Sequence, residues 1–120
     1  MENTLKQGTL DLVLLSILEN NELYGLQILQ EVNTRTEGAF DFKEGSLYPV
    51  LHRMVKAGWV TSNWQPSTTG GLARKYYVLT PSGTDALGRK QKEWRNLRDA
   101  IGRLVPFKSL RNIQHLEVIA

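Results

Sequence analysis

Few folds accommodate the stretch from Lys43 to Gly58. Its apolar residues Leu47, Val50, Leu51, Met54 and Val55 fall at i, i+3, i+4, i+7 and i+8, a spacing that predicts one face of a helix. The opposite face carries Ser46, Tyr48, Pro49, His52, Arg53 and Lys56, and the only acid near it is Glu44 at its mouth. Gly58 then stops the helix, because glycine adopts positive φ freely. The β-branched and aromatic run Trp59-Val60-Thr61-Ser62-Asn63-Trp64 follows at once and reads as a strand. A helix with a basic, hydrogen-bonding outer face, followed directly by a hairpin, has the width and chemistry to enter a DNA major groove.

Length and charge narrow the setting. At 120 residues the chain is one domain, or one domain with an appended arm, and 41% apolar residues suffice for an ordinary core. The absence of cysteine excludes disulfides and thiolate zinc sites and fits a reducing cytoplasm, the expected location. The apolar run Leu12–Leu18 is too short to cross a bilayer, and no basic segment precedes it as a signal peptide would require. Residues 1–42 sum to −5 and residues 43–120 to +8, an asymmetry that suggests a surface made for a polyanion. A solvated surface with an accidental skew is the plainer alternative.

Residues 4–19 are apolar on nearly all sides, which predicts a helix that needs cover from beyond its own chain, most simply a second subunit. A long buried strand is the competing reading; Asp11 and the length count against it. Asn20-Asn21 forms a turn. A second helix is expected over Leu23–Thr36, with Ile28, Leu29 and Val32 inward. Gly25 in its first turn costs about 1 kcal/mol against alanine, which is tolerable where another backbone passes close by. Residues 38–42 alternate apolar and polar, as a short strand or an extended link.

After the third helix, the hairpin is expected as Trp59–Gln65, a tip from Pro66 through Gly70-Gly71, and a return over Ala73–Leu79. Arg74 and Lys75 at the root of that tip suit gripping phosphates, though a solvated hairpin would look much the same. Thr80 as N-cap and Pro81 at the first position open a last helix that runs to Val105. Along it Leu87, Trp94, Leu97, Ile101 and Leu104 trace a heptad seam interrupted at Lys90, the pattern of subunit pairing. Residues 106–120 are expected as a short packed helix or a mobile arm. The fold class is therefore α+β, mainly α: a winged helix-turn-helix over residues 1–80, a dimerisation helix over 81–105 and a C-terminal arm.

Three segments together, Leu23-Tyr24-Gly25, Glu44 through Met54, and Arg74-Lys75-Tyr76-Tyr77-Val78-Leu79-Thr80-Pro81-Ser82-Gly83, resemble the signature of PadR-type transcriptional regulators. The single long last helix is similar to that of the smaller subfamily that includes the multidrug-responsive repressors. The resemblance implies a homodimeric winged-helix repressor that binds double-stranded DNA and releases it on binding an inducer, without a cofactor. It implies an early start for the third helix, at Lys43 or Glu44, with Pro49 beyond the first turn; a start capped by Ser46 would spare the bond that proline loses. It further implies that Tyr24, Lys43, Ser46 and Tyr48 touch phosphates or bases, and that Lys75 and the Gly70-Gly71 tip contact the flanking backbone. Leu72-Ala73 depart from the polar or basic wing of such relatives.

Specificity falls to base edges met by Ser46, His52 and Arg53 on the third helix, or to DNA shape, beside the phosphate grip of Arg74. Tyr48 has a plainer alternative role, packing on the second helix. The inducer pocket of drug-sensing relatives lies between first and last helices. By resemblance it is assigned here to Leu10, Leu14, Trp94, Leu97 and Arg98, with a planar aromatic compound as the expected ligand. Trp94 also lies on the seam, so dimer packing alone would explain it. His52 and His115 stand 63 positions apart with no partners at metal-ligand spacing, and neither a phosphate-cradling glycine loop nor a nucleophile elbow occurs, so no enzymatic activity is expected. The rival reading is a winged-helix module whose basic face meets an acidic protein.

Overall fold

The helical periodicities fold into α1 (Glu2–Leu18), α2 (Gly25–Arg35), α3 (Glu44–Lys56) and α4 (Pro81–Leu104), and the strand-like runs into β1 (Leu23–Tyr24), β2 (Val60–Gln65) and β3 (Arg74–Leu79). The computed structural model describes residues 2–68 and 70–105. Thr69 at the hairpin tip and residues 106–120, the expected arm, lie outside the described residues. Two units divide the chain, Met1–Gly88 and Arg89–Ala120.

In the first unit Leu14, Leu15, Ile17 and Leu18 of α1 meet Ile28 and Val32 of α2 and Leu47, Val50, Leu51 and Met54 of α3 in one buried cluster. Each such side chain contributes about 1.5–3 kcal/mol by leaving water. Leu12 and Val13 are only partly buried within the chain. Val60 and Tyr77 close the cluster from the sheet, and Ala86 and Leu87 from the first turns of α4.

Leu23 and Tyr24, expected to begin the second helix, instead form β1, pairing antiparallel with β3 (Leu23 opposite Tyr77, Tyr24 opposite Tyr76) in a sheet of order β1-β3-β2. The Tyr24 and Tyr76 rings stack edge to face at 5.3 Å, a cross-strand contact that draws the dipeptide into the sheet. The helix starts two residues later than expected, at Gly25, with the Tyr24 N–H donating to the Gln27 Oε1 at 3.1 Å. Residues 38–42 make a link without a strand. It follows a reversal at Glu37 (φ 52°) and Gly38 (φ 80°) and is pinned by the Phe40 N–H on the Thr36 Oγ1 at 3.2 Å.

α3 begins early. Its cap residue is Lys43, whose carbonyl accepts from both Ser46 and Leu47 N–H at 3.0 Å, and Pro49 lies inside the helix, where it forgoes one backbone bond. At the other end Gly58 takes φ 82°, its N–H donates to the Val55 carbonyl, and the Trp59 N–H reaches the Met54 carbonyl at 3.0 Å. This is the paired arrangement that ends helices at glycine.

The Thr80 Oγ1 accepts from the Gly83 N–H at 2.9 Å and donates to the Gly58 carbonyl at 2.6 Å, so the cap of α4 is tied to the end of α3. Gly83 permits this: a Cβ there would collide with the Trp59 carbonyl. Leu87, placed by its spacing at the start of the dimer seam, is 1% exposed in the core of the first unit. The docking of these first α4 turns withdraws it from any seam. Trp94, Leu97, Ile101 and Leu104, on the second unit, all have exposed side chains.

Candidate nucleic-acid interface

The outer face of α3 is placed by one close approach. A Cβ on Gly25 would lie 3.0 Å from the Tyr48 Cζ and overlap its hydroxyl, so only glycine lets the Tyr48 ring lie over the start of α2. The close neighbour at Gly25 is thus a side chain, not the backbone expected. Tyr48 takes the plainer role foreseen for it, packing on α2, and keeps an exposed edge toward solvent.

Between this face and the wing formed by β2 and β3 runs an open groove of about 420 Å³. Tyr24, Tyr48, His52, Arg74 and Lys75 line it together, five expected DNA contacts from three separate elements. The Arg74 guanidinium lies 4.4 Å from the centre of the Tyr24 ring and donates to its hydroxyl at 2.8 Å. That bond uses one of five guanidinium donors and aims the fork, leaving the remaining donors for a phosphate. Lys75 holds its ammonium 5.9 Å from the centre of the Trp64 ring. Among the described residues Glu44 is the one acid on the lining.

The remaining candidates lie elsewhere. Lys43 is exposed at the α3 cap and reaches Asp41 at 3.2 Å. Ser46 lines a different hollow, of about 430 Å³, with Leu10, Phe40 and Phe42. Gly70 (φ 81°) and Gly71 (φ 101°) bend the exposed wing tip through backbone that side chains rarely adopt. Arg53 is a correction. It forks onto Asp11 of α1, a carboxylate only 4% exposed, and so braces the fold rather than reading bases. The hydrogen bonds it donates to Asp11 hold the guanidinium above its usual pKa. Leu14 is a second correction, because it is sealed in the core and cannot line a ligand pocket. In the second unit Trp94 and Leu97 are exposed and Arg98 reaches Asp99 at 3.3 Å.

Sequence reasoning missed two groove residues, Leu26 and Trp64, both exposed apolar groups. Strand alternation from Val60 would have placed Trp64 on the inner sheet face. Tyr77, buried beneath the groove, has its phenol pKa pushed up by that burial and by Tyr48 beside it.

A profile of the transcriptional regulator PadR-like family matches residues 14–89, from the last turns of α1 past the α4 cap. The chain belongs to the PadR-like family of transcriptional regulators. The PadR-like chain is 31% identical over 84 residues, 69% of its own length and 74% of the relative's, to the transcriptional regulator Rv3488 of Mycobacterium tuberculosis. A solved transcriptional regulator from Clostridium thermocellum superposes with a TM-score of 0.76 at 28% identity, covering 85% of this chain and 98% of the other. A PadR family transcription regulator from Clostridium difficile superposes at 0.69 with 35% identity, covering 79% and 96%. The PadR-like chain is thus a DNA-binding regulator, and its family is one of regulators, not enzymes. Among the described residues no helix is long and apolar enough to cross a membrane, and no three potential metal ligands gather.

Proposed function

We propose that this chain is a repressor that binds a near-palindromic operator as a homodimer and is released by a small planar aromatic inducer. The observation that carries the reading is the row of exposed apolar side chains on α4, namely Trp94, Leu97, Ile101 and Leu104, at spacings of three and four residues. On a helix otherwise rich in charge, such a row marks a surface that associates. The partly buried Leu12 and Val13 on α1 add apolar surface for the same purpose. A two-fold pair would set two α3 helices about 34–36 Å apart, one turn of DNA, and so face successive major grooves.

Trp94, half-exposed in that row, supplies the flat surface on which an aromatic inducer would stack. An inducer that favours the released arrangement over the DNA-bound one shifts the equilibrium by its differential affinity alone. Selection of duplexes from a random pool, repeated with planar aromatic compounds, tests the reading. A dyad-symmetric consensus lost on ligand addition supports it; a consensus without symmetry, indifferent to every compound, removes it.

A further inference from the structure

Trp64 is a large apolar group that the fold does not use. It is 68% exposed near the outer end of β2, opposite Lys75 in the ladder. Strand alternation puts it on the face that carries the buried Val60, and Tyr77, diagonal to it across the ladder on the same face, is buried too. Beyond the core this face overhangs α3, so Trp64 lines the groove with Tyr48 and His52. A wing that gripped phosphates through charge alone would have no need of an indole there.

We propose that Trp64 packs its ring against the deoxyribose carbons of the DNA strand running between the wing and α3, while Lys75 holds an adjacent phosphate. A nucleic-acid backbone alternates anionic phosphate with apolar sugar. Trp64 and Lys75 match that alternation, with a flat ring and an ammonium 5.9 Å apart at one ladder position. The contact is apolar, so it releases no counterions and adds affinity that salt does not erode. The inference rests on the groove being the DNA-binding surface of this regulator.

The test is a salt series of anisotropy titrations with the full chain and a duplex selected from a random pool. Trp64→Ala binds about tenfold more weakly at every salt concentration, with an unchanged log–log slope. Lys75→Ala shallows the slope by about 0.9. Trp64→Lys, although it adds a cation, also loses affinity, whereas Trp64→Phe keeps most of it. Wild-type affinity in Trp64→Ala, or a gain in Trp64→Lys, overturns the proposal. A wild-type chain that binds no duplex at any salt overturns instead the DNA-binding reading on which it rests.

Discussion

Arg53 meets Asp11 in a fork, Nη1 to Oδ2 at 2.9 Å and Nη2 to Oδ1 at 2.5 Å, and so bolts α3 to α1 across 42 positions of sequence. The carboxylate is buried, and removing the guanidinium strips it of two charge-assisted hydrogen bonds. Arg53→Ala is expected to lower unfolding stability by about 3 kcal/mol in urea titration. Arg53→Lys restores little, because an ammonium cannot make both bonds. The joint replacement Asp11→Leu/Arg53→Met recovers most of the loss.

Two glycines separate folding from binding. At Gly25 an added methyl meets the movable end of Tyr48, so Gly25→Ala changes stability by less than about 1 kcal/mol. It displaces the Tyr48 ring and weakens DNA binding in the same preparation. At Gly83 the obstacle is the Trp59 backbone, which cannot turn aside. Gly83→Ala is expected to cost about 3 kcal/mol. Thermal melts paired with anisotropy titrations check both.

Alkaline pH acts through Tyr77. Burial holds its folded-state pKa above the ordinary 10.0. Once the unfolded chain has released this proton, the folded chain still keeps it. The unfolded state then binds fewer protons, so stability falls with rising pH. The contribution is intact below pH 10 and is lost on moving upward through the folded value. In urea titrations from pH 9 upward, Tyr77→Phe falls less steeply than the parent chain; identical slopes would contradict this.

Lys43 tests whether the α3 cap reaches the DNA backbone. Its pairing with Asp41 is solvent-exposed at both ends, and such pairs contribute about 0–1 kcal/mol. Lys43→Ala therefore keeps the parent melting temperature. If the residue takes a phosphate, the variant loses about 0.9 from the salt slope. An unchanged slope removes Lys43 from the interface.

Local chemistry made part of this legible in the sequence. The α3 periodicity, the stop at Gly58, the hairpin and the Thr80-Pro81 opening of α4 are each written in adjacent residues. What escaped depends on residues distant in sequence. β1 exists because Tyr24 finds Tyr76, and two residues carry no period of their own. Arg53 looked like a DNA contact because Asp11 stands two helices earlier. Leu87 fitted the heptad, yet Thr80 anchors the start of its helix to the end of α3 and Leu87 is buried in the core before the exposed row begins. The groove was legible as a list of cations but not as a shape, since Trp64 gains meaning only opposite α3.

Hydroxyl-radical footprinting of the wild-type chain on its selected duplex tests most directly whether two α3 helices act together on one site. A homodimer on one operator leaves two protected patches related by a dyad, centred about 10–10.5 base pairs apart. A single patch without a symmetry mate, at saturating protein, would contradict it.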